Sequence, residues 1–245
     1  MKLKTATYNI AAGLSGGYFK PKDYLKAADV IKRIDADVIA LNEVGKPLPD
    51  HISEHTKFLA NRCGYKYYFF AKAASYRSFP YGNAVLSKFP IDSANVIPLK
   101  KFKQILPGIY EPRCILTAEI LSHIPFRIIC THLGLFPDEQ KLGILKAAEI
   151  AGTSQLPTVL MGDLNISGNK NMFVPFKNIL NDVCDLHGVT LKTFPAHKPQ
   201  KRLDYIFVSN NITVENVEVV SEIASDHLPL VALLDIQKTP SIPKR

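Results

Sequence analysis

Apolar residues recur along this chain with two different periods, and together these predict a mixture of strands and helices. Short apolar or alternating runs predict strands at residues 3–9, 37–42, 65–70, 83–87, 113–121, 126–131, 158–161, 205–208, 214–220 and 230–236. Apolar positions at helical spacing predict helices at residues 24–34, 51–62, 138–150 and 171–180. Strands outnumber helices and come both as hairpins and in alternation with helices, so an α/β (α+β) fold is predicted. A four-layer sandwich of two mixed β-sheets flanked by helices accommodates this inventory.

The domain organisation predicted from the sequence is simple. No repeat or linker divides the chain, so residues 1–236 are expected to form one domain and residues 237–245 a C-terminal tail. Lysines near the N-terminus are not followed by the apolar core of a signal peptide, and no apolar run is long enough to span a bilayer. We therefore expect a cytoplasmic protein without stable membrane insertion, and no obligate protein partner is evident.

Charge adds a preference for anionic partners. The 245 residues include 30 Lys and Arg against 22 Asp and Glu, a net charge of +8. Such an excess favours polyanions such as nucleic acid or an anionic lipid surface, although it also fits simple solubility. The four cysteines lack the close spacing of a structural zinc site, and Cys114 and Cys130 lie in apolar runs where buried free thiols are expected.

Polar side chains that can bind metals or phosphate recur where the apolar runs end. They are Asn9, Glu43, His132, Asp163, Asn165, Asp226 and His227. Strand ends at one rim of a sheet bring together residues that are distant in sequence. Carboxylates are oxygen ligands suited to Mg²⁺ or Mn²⁺, and amides hold a phosphate oxygen without adding negative charge. Singly, Asn9, Glu43 and His132 are more often a strand-end cap, a solvated residue and a structural histidine, whereas Asp163 with Asn165 and Asp226 with His227 already favour a functional site. Jointly, they match the needs of phosphodiester hydrolysis.

Six short motifs in order then indicate a family. They are Thr7-Tyr8-Asn9-Ile10, Leu41-Asn42-Glu43-Val44, Thr131-His132-Leu133, Gly162-Asp163-Leu164-Asn165, Leu203-Asp204-Tyr205-Ile206 and Ser225-Asp226-His227-Leu228-Pro229. Together they resemble the endonuclease/exonuclease/phosphatase superfamily, which shares its fold with pancreatic-type deoxyribonuclease, and the resemblance runs from Leu3 to about Ile236. The segments 81–87 and 193–204 resemble its small, stand-alone prokaryotic branch.

The resemblance implies a metal site and a water-activating pair. Glu43 resembles the principal ligand of Mg²⁺ or Mn²⁺, Asn9 lies beside the metal and the phosphate, and Asp226 completes the metal environment. Asp163 and Asn165 resemble the pair that aligns or deprotonates the attacking water and binds the transition-state oxygens.

The resemblance also implies residues around the phosphate. His227 resembles the histidine that contacts it, and Asp204 the carboxylate that orients this histidine. His132 resembles a second histidine on the phosphate side that assists the leaving group. Arg113, in Glu111-Pro112-Arg113, resembles an arginine that reaches the phosphate from a strand.

Two departures from the family pattern bear on this assignment. Many members have Gln where this chain has Asn42, a change that we expect to have little effect. The chain has no Trp, although members that act in base excision often use an aromatic residue near the first motif and in the pocket for the abasic site. This makes action at abasic sites a weaker expectation.

The expected activity is that of a metal-dependent phosphoric ester hydrolase, with DNA or RNA as the leading substrate and either an endonuclease or an exonuclease mode. A phospholipid head group or sugar phosphate is the alternative substrate. A binding protein of the same fold without catalysis is the second alternative. The aromatic and cationic loop 76–81 could stack bases and hold phosphates or be a packed loop, and the lysines at 100–103 are expected to form a solvated patch. A third cluster, of Lys198, Lys201 and Arg202, comes just before Asp204. The last is favoured as a contact to the phosphate backbone.

Overall fold

The structure, a computed structural model, describes residues 1–13, 24–45, 54–76, 79–100 and 111–237. Strands β1 to β12 span Lys2–Asn9, Val38–Gly45, Tyr67–Tyr76, Phe79–Ser87, Ile91–Pro98, Cys114–Ile120, Phe126–His132, Thr158–Asp163, Leu180–Asp182, Asp204–Ser209, Ile212–Val219 and Leu230–Ile236. Helices α1 to α4 span Tyr24–Ile34, His55–Cys63, Pro137–Gly152 and Val183–His187. Short 3₁₀ segments cover Ala11–Gly13 and Lys170–Phe176.

The strands of the described chain form two six-stranded mixed sheets. The first has the order β11-β12-β1-β2-β4-β3, and the second has the order β5-β6-β7-β8-β10-β9. Strands β1 and β2 are parallel, as are β7 and β8, and the remaining pairs are antiparallel. The inner faces of the two sheets share one apolar core, to which both sheets contribute fully buried residues such as Leu3, Val38, Ile128 and Val159.

Helices cover the outer faces. Helices α1 and α2 pack on the first sheet through residues such as Ile31 and Leu59, while α3 packs on the second through Ile144 and Ala147. The helical spacing of apolar residues along α1 explains its position, since its buried side carries Ala27, Ile31 and Ile34. The predicted sandwich of two mixed sheets flanked by helices is therefore confirmed.

Several local predictions differ from the structure. Strand β5 was not expected, because it lies at a sheet edge with mostly exposed side chains and has no apolar period. The prediction of a helix at 171–180 is wrong. A 3₁₀ segment that contains Pro175 ends at Phe176, and β9 and α4 follow it. The predicted loop at 76–81 belongs largely to the β3–β4 hairpin.

Other expectations concern residues outside the described ranges. They include His51, Arg77, Ser78, Lys101, Lys103 and the tail beyond Gln237. Within the described chain, no helix has the length and apolar character needed to cross a membrane. The four cysteines are free thiols, as expected for Cys114 and Cys130, which are both buried.

Candidate active site

The polar motifs meet at one edge of the sandwich. The parallel pairs β1–β2 and β7–β8 send the carboxyl ends of four strands to this edge, where Asn9, His132 and Asp163 are the last residues of their strands. Strand β10 runs in the opposite direction, so its first residue, Asp204, pairs in register with Asp163. The segment 225–227 arrives before β12, which is antiparallel to β1.

Glu43 lies within β2 rather than after it, at an irregularity in the pairing with β4 between Leu41 and Val44. Its φ of 57° is in the left-handed region, which is uncommon for a residue with a side chain and marks a backbone held by its surroundings. Asn9 connects the two sheets at this point, because its Nδ2 donates to Glu43 Oε1 of the first sheet at 3.0 Å and to Asp163 Oδ2 of the second sheet at 2.9 Å. The hydroxyl of Tyr81 also bonds to Glu43.

The charge around Glu43 suits a cation. Burial raises the pKa of Glu43, and the nearby carboxylates of Glu111 and Asp226 raise it further, whereas Asn9 and Arg113 lower it. Keeping several carboxylates together is costly without a compensating positive charge. Carboxylate oxygens from Glu43 and Asp226 are the donor type that Mg²⁺ and Mn²⁺ prefer, so these two residues fit the predicted metal. Asn9 presents its Nδ2 to Glu43, and its Oδ1 accepts from the backbone N–H of Ala11 at 3.0 Å.

A second cluster, made of two carboxylates and a histidine, lies beside the carboxylates around Glu43. Ligand atoms of Asp163, Asp204 and His227 come within 4.8 Å of one another, a grouping that could in principle hold a metal. His227 Nδ1 lies 2.8 Å from Asp204 Oδ2, and its Nε2 lies 3.6 Å from Asp163 Oδ2. Burial alone would disfavour the imidazolium, but the three carboxylates of Asp204, Asp163 and Asp226 raise the pKa of His227 to about 10. At neutral pH this group therefore already contains a cation, and Glu43 is the better place for a metal.

His132 has the opposite electrostatic character. Burial lowers its pKa well below the usual value, and Arg113 and His227 lower it further. Arg113 Nη1 lies 2.7 Å from His132 Nδ1, and since a guanidinium only donates, Nδ1 accepts this bond. The neutral ring then carries its proton on Nε2, which lies 3.1 Å from the side-chain amide of Asn165 and 3.4 Å from Asp163 Oδ2. His132 is thus a hydrogen-bond donor without a spare proton to transfer.

Asp163 is the centre of the arrangement. Its side chain accepts from Asn9 and, through Oδ1, from the backbone N–H of Asn165 at 2.9 Å. Burial raises its pKa, which brings this carboxylate nearer to the range in which a general base works best. The preceding Gly162 is required because a Cβ there would collide with the carbonyl of Thr131 on the neighbouring strand. The glycine therefore serves the close pairing of β7 with β8.

The structure brings all nine predicted site residues to this edge. Hydrogen bonds, ion pairs or close polar contacts connect eight of them, which are Asn9, Glu43, Arg113, His132, Asp163, Asn165, Asp204 and His227. Asp226 joins through Ser225, whose Oγ donates to the carbonyl of Asn9 at 2.7 Å and lies 3.2 Å from Asp226 Oδ1.

Asn42 is the residue whose importance was missed. Its side chain is fully buried, and its Nδ2 donates to Asn83 Oδ1 at 2.9 Å and to the carbonyl of Thr131 at 3.2 Å. Its Oδ1 accepts from the backbone N–H of Asp163 at 2.9 Å. Asn42 therefore joins the strand that carries Glu43 to the strand that carries Asp163, which is at odds with the expected minor role. Its position next to Glu43 was the available signal.

The prediction that the basic cluster beside Asp204 contacts phosphate is wrong for Arg202. Arg202 is mostly buried, its Nη2 lies 2.6 Å from Asp182 Oδ2, and its guanidinium lies over the ring of Tyr205. Arg202 is thus occupied within the protein and does not serve as a free phosphate contact. Lys198 and Lys201 are exposed on the same loop. That loop is anchored at the site, because Phe194 pairs with Lys201 and its ring lies 4.8 Å from that of His227.

Comparison with known proteins decides the family. The sequence model of the Endonuclease/Exonuclease/phosphatase family matches residues 6–227. The chain belongs to this family. Its members hydrolyse phosphoester bonds and generally depend on divalent metals.

Individual relatives agree with this family assignment. An uncharacterized protein of Escherichia coli K12, YbhP, is 26% identical over 223 residues, covering 84% of this chain and 85% of YbhP. An endonuclease/exonuclease/phosphatase from Beutenbergia cavernae DSM 12333 has a TM-score of 0.81 at 24% identity, covering 98% of this chain and 73% of that chain. The mannosyl-6-phosphatase Bt3783 of Bacteroides thetaiotaomicron VPI-5482 has a TM-score of 0.76 at 17% identity, covering 96% and 100%. At such identities these structures establish a shared fold only.

Proposed function

We propose that the protein is a divalent-metal-dependent phosphodiesterase whose substrate is nucleic acid. The carrying observation is the edge at which Glu43, Asp163 and His227 meet, with exposed lysines on the loop that packs against His227. In this proposal Glu43 and Asp226 would hold Mg²⁺ or Mn²⁺, with Asn9 beside them fixing Glu43. The metal would supply positive charge to the phosphate and to the leaving oxygen.

Asp163 is proposed to orient the attacking water and take its proton. Its raised pKa makes it a stronger base than an exposed aspartate, and Asn9 and the Asn165 backbone fix its two oxygens in place. The water oxygen bonds to phosphorus opposite the leaving oxygen, whose bond to phosphorus then breaks.

His227 and Arg113 are proposed to stabilise the phosphate. His227 is held as an imidazolium by Asp204, so it offers a positive charge at a fixed position. Arg113 bonds to His132 and forms an ion pair with Glu111 at 2.9 Å. His132, being neutral, is assigned to hydrogen bonding with a phosphate oxygen or the leaving oxygen rather than to proton transfer.

The choice of nucleic acid comes from charge at the rim. Lys198 and Lys201 are exposed on the loop anchored to His227 by Phe194, and the whole chain has a charge of +8. Positive charge beside the scissile phosphate favours a substrate with further phosphates. A sugar phosphate is the second candidate, since a protein of this fold is a mannosyl-6-phosphatase.

A substrate panel tests the proposal. Labelled single-stranded and duplex DNA, RNA, a mannose 6-phosphate ester and a phospholipid with a charged head group are each incubated with Mg²⁺ or Mn²⁺, with and without chelator. Metal-dependent cleavage of an oligonucleotide, absent in the Glu43→Gln variant, is the expected result. Hydrolysis of the sugar or lipid phosphate with no cleavage of any oligonucleotide would overturn the nuclease assignment while keeping the phosphoesterase chemistry.

A further inference from the structure

A groove on the outer face of the second sheet is lined by residues close in sequence to the candidate active site. It has a volume of about 620 Å³, enough for a group of nucleotide size, and lies between the 3₁₀ segment Lys170–Phe176 and the segment 189–192. Its lining includes Ser167 and the segment 200–202. Ser167 is two residues from Asn165 and Arg202 is two from Asp204, so each lies within about 7.6 Å of a site residue, Cα to Cα.

The groove has the charge of a polyanion site. Five cationic and two anionic side chains line it, a net charge of +3. Both anionic residues are already paired, because Asp182 binds Arg202 and Asp185 binds Lys170 at 2.8 Å. Among the residues that the structure describes, the remaining lysines of the groove, Lys177, Lys192 and Lys201, are exposed and have no acidic partner. The unpaired charge is therefore entirely positive.

The floor of the groove is aromatic. Phe173 is half-buried and packs against the buried ring of Tyr205 with centroids 5.0 Å apart, so Phe173 is the ring that a ligand can reach. The guanidinium of Arg202 lies 4.2 Å from the centroid of the Tyr205 ring and is held there by Asp182. Planar bases stack on aromatic rings and on guanidinium planes.

We propose that this groove binds the single-stranded nucleic acid that continues from the scissile phosphate. The inference rests on the proposed function, because it extends the same substrate beyond the catalytic edge. Lys201 contributes to both places, as it lines the groove and pairs with Phe194 on the loop that packs on His227. A strand leaving the active site between Ser167 and Lys201 enters the groove, where Lys177 and Lys192 meet its phosphates. Duplex nucleic acid is a poorer occupant, since its bases are stacked and paired.

Charge reversal in the groove tests this. The double variant Lys177→Glu/Lys192→Glu is compared with wild type and with Lys32→Glu, an exposed lysine on α1 over the opposite sheet. Initial rates are measured on a decamer of deoxythymidine and on a small chromogenic phosphodiester that is too short to reach the groove. Each phosphate contact with a single strand contributes a slope of about 0.7 to the dependence of log affinity on log salt.

For the double variant, KM on the decamer is expected to rise on the order of tenfold, with a salt dependence shallower by about 1.4. Its rate on the small diester and its far-ultraviolet circular dichroism should match wild type. The Lys32→Glu variant should have wild-type rates on both substrates. If the double variant cleaves the decamer with the KM and salt dependence of wild type, the groove does not bind the strand. The proposed nuclease function would then remain intact. If wild type hydrolyses the small diester but no oligonucleotide, the nucleic-acid function and the groove fail together.

Discussion

Replacing Asn42 with alanine should destabilise the protein and the active site together. The side chain is fully buried and uses both of its N–H groups and its oxygen. Its removal leaves three partners unsatisfied: Asn83 Oδ1, the Thr131 carbonyl and the Asp163 N–H. Each buried group left without a partner costs about 1–3 kcal/mol, and relaxation of neighbours recovers part of this, so the expected loss is about 3–5 kcal/mol.

The assay is urea unfolding followed by circular dichroism in the absence of metal. The matched control is Asn181→Ala, which removes another side-chain amide bond, from Asn181 to Asn210, at an exposed position. That variant should stay within about 0.5 kcal/mol of wild type. A loss below about 1 kcal/mol for Asn42→Ala would refute the reasoning, because it would mean that the three partners find replacement bonds.

Catalysis gives an independent test of the same bonds. Asn42 does not point at the substrate, so KM should change little, whereas kcat should fall roughly tenfold to a hundredfold because Asp163 and Glu43 lose a common support. The measurement is made well below the denaturation midpoint of the variant. A variant that is destabilised but has the wild-type kcat would show that Asn42 holds the sheets together without positioning the catalytic carboxylates.

Two further predictions follow from the electrostatics of the edge. Glu43→Gln should abolish turnover and weaken Mg²⁺ binding measured by calorimetry, while metal-free stability in urea stays equal or rises because one of several clustered carboxylates is neutralised; wild-type turnover would remove Glu43 from the metal site. His227 has a pKa raised from 6.5 to about 10, so its ionised pair with Asp204 stabilises the fold fully below about pH 6.5 and is lost as the pH rises toward 10. Metal-free stability should therefore fall more steeply over this interval in wild type than in His227→Gln, and equal slopes in urea unfolding would refute the assignment.

The sequence predicted the site more completely than it predicted the outer layer of the fold. Asn9, His132 and Asp163 could be placed because a polar residue that ends an apolar run lies at a sheet edge wherever the run is a strand. The same logic fails for β9, which has three residues and therefore no period to recognise. It also fails for β5, because a strand at a sheet edge with exposed faces needs no apolar alternation.

What could not be predicted are the contacts between the sheets. The position of Asn42 next to Glu43 does not reveal its hydrogen bonds, because the packing of β7 and β8 against β2 supplies two of its three partners. Arg202 was misjudged for a similar reason. Its neighbours in sequence are basic, but Asp182, which neutralises it, is 20 residues away on a strand that the pattern did not show.

The division of the chemistry between two sheets links catalysis to packing. Glu43 and Asn9 belong to the first sheet, and Asp163 and Asp204 belong to the second. Three hydrogen bonds of the site cross between them: Asn9 to Asp163, the Asp163 backbone to Asn42, and His227, which precedes β12, to Asp204. A shift of one sheet relative to the other would separate the proposed metal ligand from the proposed base while leaving each sheet intact. The apolar core between the sheets therefore does more than stabilise the fold, since it sets the distance between the two halves of the active site.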